Sequence, residues 1–322
     1  MPGHSSLCRD PRRRASLWSR LAVAWLLLVG LSAPGGASAG EPAVVAFVQD
    51  TLGNDWRAAQ VEEVRQRLAA EPGVRFLVRD ARGSTARQVL HVENLLAEGI
   101  DVLITSPRHR EALAPVLARV YRSGVPVILL SRDVVGTQYT TFIHPDNRAI
   151  GEAVGRLLVE ALDGEGRVLM LEGVPGTSTA ILRREAFLEV VAEHPGVRVV
   201  ARTGNYLRAD AIREVEDLLR EGERFDAIYA HSDSMATGAR MALKRAGIDP
   251  GGLYIVGIDY IRESRAAIGA GEQDVSFTYP TGGREGAEAA LRILGGEAVP
   301  REQVLESVRV DADNVDQVEP IF

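Results

Sequence analysis

Residues 54–57 read Asn-Asp-Trp-Arg, at the end of the turn "DTLGND" (50–55) that follows an apolar run at 43–48. The indole offers an apolar face, and the adjacent guanidinium offers N–H donors in a planar fork. Other apolar runs are followed by residues of the same kinds. They are Ser106-Pro107-Arg108, Ser131-Arg132-Asp133, His144-Pro145-Asp146, Glu172, Asn205-Tyr206, Ser232-Asp233-Ser234, Asp259-Tyr260 and Tyr279. Aromatic rings beside Asp, Asn and Arg suit a polyhydroxylated ligand such as a sugar. A ring covers the C–H face, while planar polar groups grip neighbouring hydroxyls that both donate and accept. Such a site is selective when buried, because a missing hydroxyl leaves a buried partner unpaired.

Each residue also has a plainer reading. Trp56 could staple its helix to the sheet, and Arg57 and Arg132 could form rim salt bridges. Asp259 could cap the next helix, and Asp233 reads as the cap of "SMATGARMAL". Arg183 stands beside Arg184 and Glu185, a pattern shared with exposed ion pairs. Tyr206 and Tyr279 are either cavity wall or packing. Trp56→Ala is expected to abolish or greatly weaken binding while leaving the melting temperature nearly unchanged, and a large melt loss with affinity retained would point to packing.

Catalytic and cofactor chemistry finds little purchase. "GVPGTS" at 173–178 opens a helix, but it lacks the Gly-Lys-Ser/Thr ending of a P-loop and the spacing of a dinucleotide fingerprint. "HSDS" at 231–234 holds His, Asp and Ser as sequence neighbours, whereas triad members meet through the fold. Histidines 91, 109, 144, 194 and 231 show no metal-ligand spacing. No enzyme activity, cofactor or metal is expected.

The elements that must position these residues are legible as alternating runs. Apolar, mostly β-branched stretches occur at 43–48, 74–78, 101–105, 125–130, 139–143, 167–171, 197–201, 225–230, 254–258 and 274–279. Most are apolar on both faces, as buried parallel strands are. Amphipathic stretches such as 58–70 and 211–222 lie between them. Repeated βα units imply doubly wound parallel sheets, whose ligands bind beyond the carboxyl ends of the strands. Ten strands are too many for one comfortable sheet. A break after "TTFIHPDN", where Asp146 or Asn147 can cap a new helix, ends a first lobe near 143 and opens a second near 147.

The chain has 322 residues, enough for two domains. "RDPRRRASLWSR", "LAVAWLLLVGL" and "ASA" at 37–39 form the basic, apolar and cleavage regions of a secretory signal peptide over 1–39. The only cysteine, Cys8, lies inside it, so the mature chain is expected to hold no disulfide and no thiolate metal site. Export without disulfides fits a bacterial periplasm. The formal charge is −7 over the whole chain, and the leader holds five arginines against one aspartate, so the mature chain is more acidic still. Such a surface repels nucleic acid. Lys244 is the only lysine, so arginine carries nearly all the positive charge.

Seven segments in order then carry a family likeness: "FVQDTLGNDWR", "ITSPRHREALAPVLARVYRSGVPVILLSRD", "FIHPDNRAIGEAVG", "LEGVPGTSTAILRREAF", "FDAIYAHSDSMATGARMAL", "VGID" and "FTYPTGG". Over residues 43–315 the chain resembles the type I periplasmic sugar-binding proteins, the ribose- and galactofuranose-binding group. "TYPTGG" and the tail "VPREQVLESVRVDADN" are similar to a subgroup that serves as sensor domains of hybrid histidine kinases. The resemblance implies an α/β fold of two Rossmann-like doubly wound lobes joined by a three-strand hinge. It places one lobe at 40–143 plus about 281–307 and the other at 147–277 plus about 311–322. Hinges then fall near 144–146, 278–280 and 308–310. It implies a monomer that captures a sugar and delivers it to an ABC importer, or presents it to a membrane histidine kinase. No kinase follows in this sequence, so sensing would need a separate partner. The ligand positions it implies are Asn54, Trp56, Arg57, Ser131, Arg132, Arg183, Tyr206, Ser232, Asp259 and Tyr279. The family usually has Asp where Ser131 stands, and often Asn where Ser232 stands. Each departure exchanges a two-pronged group for a single hydroxyl, which opens the way to a larger sugar, a furanose form or an acidic ligand.

Overall fold

Runs that are apolar on both faces can be buried on both faces only inside a layered α/β structure, and here they build two sheets. The computed structural model describes residues 41–322, which form one compact unit. The expected signal peptide lies outside the described residues. In chain order the first strands are β1 (Ala43–Gln49), β2 (Val74–Asp80), β3 (Val102–Thr105), β4 (Val127–Leu130), β5 (Thr141–Pro145) and β6 (Gly166–Glu172). They are followed by β7 (Val197–Thr203), β8 (Ala227–Ala230), β9 (Tyr254–Asp259), β10 (Val275–Thr278), β11 (Glu302–Leu305) and β12 (Arg309–Val310). The helices are α1 (Asp55–Leu68), α2 (Thr85–Glu98), α3 (Arg110–Arg122), α4 (Asn147–Ala161), α5 (Ser178–Val191), α6 (Arg208–Arg220), α7 (Asp233–Arg245), α8 (Arg262–Gly269) and α9 (Gly283–Leu294).

One sheet runs β11-β5-β4-β3-β1-β2, with all neighbours parallel. The other runs β12-β10-β9-β8-β6-β7, parallel except for the antiparallel β10–β12 pair. Alternate residues of each strand feed opposite faces, so each sheet has two cores. Val45 and Phe47 pack with Val61, Val64 and Leu68 of α1 and Ala287 and Ala290 of α9. Ala46 and Val48 pack instead with Val92 and Leu95 of α2 and Leu113, Leu117 and Val120 of α3. In the second lobe Val168 and Met170 join α4 and α5 through Val154, Leu158 and Phe187, while Leu169 and Leu171 join α6 and α7 through Val215, Leu218 and Ala239.

Side-chain caps set several of the helix starts that border the strand ends. Asn54 accepts from the Arg57 amide at α1, Asp146 from Arg148 and Ala149 at α4, Thr177 from Ala180 at α5, and Ser232 from Met235 at α7. Asp233 is therefore not the cap of α7, contrary to expectation. Its carboxylate turns inward and accepts from the Tyr260 amide at 2.7 Å, from Gln273 Nε2 at 2.8 Å and from the Ser276 hydroxyl. The polypeptide passes between the sheets three times: from β5 into α4, from β10 into α9, and from β11 into β12. The polar segments that form β11 and β12 carry no continuous apolar run.

Candidate ligand-binding site

Loops that follow strands of both sheets line one cavity of about 340 Å³. Nine of the ten residues singled out from the sequence are on its wall: Asn54, Trp56, Arg57, Arg132, Arg183, Tyr206, Ser232, Asp259 and Tyr279. Ser131 is not. It lies behind Arg57, its Oγ accepting from Arg57 Nη1 at 2.9 Å, because a left-handed φ of 59° turns its side chain toward Ser106 and away from the open space.

The first-lobe wall is built on the start of α1. The Asn54 amide works at both ends, its Oδ1 capping the helix and its Nδ2 donating to the Tyr206 carbonyl of the other lobe at 2.8 Å. Trp56 is 5 % exposed. Its Nε1–H donates to the Tyr279 carbonyl at 3.0 Å, and its ring lies 5.5 Å from the Tyr279 ring. It therefore both faces the cavity and joins the first lobe to the second crossing segment. The Arg57 guanidinium stacks 4.7 Å over the indole while its Nη1 donates to Ser106 Oγ at 2.7 Å. Arg132 donates from Nη1 to Asp50 Oδ2 at 2.7 Å and lies 5.6 Å over the Tyr206 ring.

The second-lobe wall depends on strained backbone. Asn205 and Tyr206 have φ of 53° and 60°, and Asp259 and Tyr260 have φ of 114° and 58°. Non-glycine residues adopt such angles at a cost, and only where their surroundings hold them. Tyr206 needs Gly173 beneath it, since a Cβ there would lie 1.9 Å from the tyrosine Cζ. Asp233 pins the Asp259-Tyr260 turn through the Tyr260 amide, and Gly257 leaves it room, for a Cβ there would stand 1.8 Å from Asp233 Oδ1. Arg183 is 1 % exposed, so the exposed ion-pair reading does not hold for it. Its Nε donates to Asn147 Oδ1 at 3.0 Å, its Nη1 to the His231 carbonyl, and its guanidinium lies 4.4 Å over Tyr279. Asn147 also donates to the Tyr279 hydroxyl at 3.1 Å. Asp259 does not cap α8, whose N-cap residue is Ile261 with no side-chain cap bond.

The electrostatics follow from this burial. Burial alone would raise the Asp50 carboxyl, but Arg132, Arg57 and Arg108 outweigh it and hold it below the usual carboxylate range. Burial, with Arg132 next, lowers the Arg57 guanidinium to about 10. Burial drives the Asp259 carboxyl well up against the opposing pull of Arg183. His231 is held neutral by burial and by Arg183. Among the described residues four buried polar atoms at the site have no hydrogen-bond partner: Asp50 Oδ1, which has only the ion-pair contact to Arg57 Nε at 3.6 Å, Arg132 Nε, Arg183 Nη2 and the Tyr206 hydroxyl. A cavity of this size with aromatic walls and forked donors can enclose a small polar molecule. Among the described residues no cluster of His, Cys, Asp and Glu could hold a metal ion.

Residues 45–298 match the model of the periplasmic binding protein domain. The chain belongs to that family. It is 28% identical over 269 residues to the galactofuranose-binding protein of Escherichia coli, covering 81% of this chain and 83% of that one. It is 29% identical over 280 residues to the ribose import binding protein of Haemophilus influenzae, covering 86% and 94%. A solved fructose-binding periplasmic domain of a hybrid two-component system superposes with a TM-score of 0.80 at 29% identity, covering 85% of this chain and 92% of the other. These relatives are named as binding proteins, not as enzymes.

Sequence reasoning left Asp50, Thr179 and Asn205 off the ligand set although they line the cavity, and it left out Asn147, which holds Arg183. Asp50 was visible as the residue after β1. Asn147 carried only the signal of a helix start, and Thr179 only that of a helix's first turn.

Proposed function

We propose that this protein is a periplasmic receptor that captures a monosaccharide-sized sugar between its lobes and delivers it to an ABC importer. The observation that carries the reading is the convergence of Trp56, Tyr206 and Tyr279 with Arg57, Arg132, Arg183 and Asp259 on one cavity between the two sheets. The rings supply apolar faces for sugar C–H groups, and the guanidiniums and the carboxyl supply paired donors and acceptors. Ligands of the relatives, galactofuranose, ribose and fructose, are of this size and chemistry. Closure would turn on hinges near 144–146, 278–280 and 308–310, a reading supported by the passage of the chain between the sheets from β5 into α4, from β10 into α9 and from β11 into β12. Export by the signal peptide over 1–39 would place the mature protein, a monomer, in the periplasm.

A thermal-shift screen of pentoses, hexoses, furanose-forming sugars and sugar acids tests this, because a ligand that binds only the folded protein raises its melting temperature. No shift and no calorimetric binding across the panel would overturn the reading. The likeness to a two-component sensor domain favours a second reading, presentation of the closed form to a membrane histidine kinase. Reconstituted transport with a neighbouring permease, against ligand-dependent phosphorylation of a neighbouring kinase, separates the two.

A further inference from the structure

Three guanidiniums on the first-lobe wall share one carboxylate. Asp50 Oδ2 accepts from Arg132 Nη1 at 2.7 Å, while Arg57 Nε and Arg108 Nη1 stand 3.6 Å and 3.7 Å from the same carboxylate. Across the cavity stand Arg183 and Asp259, and the exposed Arg82 lies at the rim. No other charged side chain lines the cavity among the described residues. The interior is therefore cationic, and the surplus sits on the first lobe.

The remaining contacts position these groups without cancelling their charge. Arg57 Nη1 donates to Ser106 Oγ, Ser131 Oγ and Gln60 Oε1, all neutral. Arg183 donates to an amide oxygen and a backbone carbonyl, and no carboxylate lies within 4.0 Å of it among the described residues. Arg132 Nε and Arg183 Nη2 are buried with no acceptor at all. A neutral sugar brings about as many donors as acceptors and leaves this charge uncompensated, at a cost that rises with burial. A carboxylate or phosphate only accepts, and guanidinium forks match its geometry.

Building on the sugar-receptor reading above, we infer that the ligand is a monosaccharide bearing an anionic group, a carboxylate or a phosphate, seated against Arg57, Arg108 and Arg132. Ser131 keeps the site selective for it. An aspartate at that position would place a carboxylate beside Arg57 and satisfy the surplus from within.

Isothermal titration calorimetry on matched series tests this: galactose, galacturonate and galactose 6-phosphate, then the glucose and arabinose equivalents including their aldonates. In at least one series the anionic member binds about tenfold tighter than the neutral sugar, and added salt narrows the gap. The carboxylate and phosphate arms show which group is read. Ser131→Asp shifts the preference toward the neutral member; aspartate tolerates the left-handed backbone there better than most residues. Arg108→Gln, at a position whose side chain is 24 % exposed, narrows the preference without repacking the core. Neutral sugars binding as tightly as their acids, with neither variant changing the ratio, overturn the inference and leave the sugar reading standing. If neither neutral nor anionic sugars bind, the sugar reading itself falls, and this inference with it.

Discussion

Replacing Trp56 with alanine removes a cavity wall and a connection between lobes at once. The ring is 5 % exposed and packs in the same core cluster as Ile150 and Phe187 of the second lobe and Tyr279 of the crossing segment. Truncating a buried tryptophan costs about 3–5 kcal/mol, and losing the Nε1–H bond to the Tyr279 carbonyl adds about 1 kcal/mol. Taking about 5 kcal/mol in all, and about 2–4 °C per kcal/mol for a chain of this order of size, the melting temperature of Trp56→Ala falls by about 10–20 °C. The sequence alone had implied almost no loss. Trp56→Phe keeps an aromatic face and loses mainly the hydrogen bond, so it drops the melt by about 2–4 °C and retains most of the ligand affinity. Differential scanning calorimetry with and without ligand, paired with titration calorimetry, reads both quantities. An unchanged melt in Trp56→Ala with binding abolished would refute the connecting role. A depressed melt with intact affinity would refute the wall.

Two further substitutions separate charge from geometry. Asp50→Asn removes the carboxylate shared by three arginines and costs about 3 kcal/mol at neutral pH. Because the folded-state pKa of Asp50 is lowered, its contribution is present above the ordinary value of 3.8 and is lost as pH falls through the lowered one. The melting temperatures of wild type and variant therefore converge in acid, and a gap that stays constant with pH counts against the ion cluster. Asp233→Asn turns an amide N–H toward donors that Asp233 now satisfies and costs about 1–3 kcal/mol. It also weakens ligand binding by freeing the Asp259-Tyr260 turn, so a lower melt with unchanged affinity would show a purely structural role.

Most of the fold was legible because buried parallel strands leave a local mark. Runs such as Val127–Leu130 and Ala227–Ala230 are wholly buried, and their apolar continuity says so. The edge strands β11 and β12 left no such mark, since an edge position tolerates Glu302, Gln303 and Arg309. The candidate site was legible for a different reason: clefts in open parallel sheets lie beyond the strand ends, which can be found without knowing the fold, and nine of the ten residues singled out line one cavity. What local sequence could not distinguish was which of two adjacent residues points into the cavity. Ser131 and Arg132 diverge because of one left-handed φ, and Ser232 rather than Asp233 caps α7 because the Asp233 carboxylate has better donors inside.

The contacts across the cavity mouth are modest and neutral, which bears on how closure would depend on ligand. Arg110 N donates to the Gly176 carbonyl at 3.0 Å, Asp133 N to Ser178 Oγ at 2.9 Å, and Thr179 Oγ1 to the Ser131 carbonyl at 3.3 Å. Each such bond contributes about 1 kcal/mol net. Against them stand a lowered Arg57 and a raised Asp259, both signs that enclosing these groups without a ligand is costly. On the proposed function, a ligand that accepts from Arg57 and donates to Asp259 would relieve both, so its preference for the closed form would come from the interior, with the rim setting only the baseline. Ser178→Ala tests that division. Losing one rim bond of about 1 kcal/mol weakens every ligand about fivefold, through the population of the closed form. The ratio of affinities between any two ligands stays as in wild type. If Ser178→Ala instead changes that ratio, the rim takes part in recognition and the division is wrong.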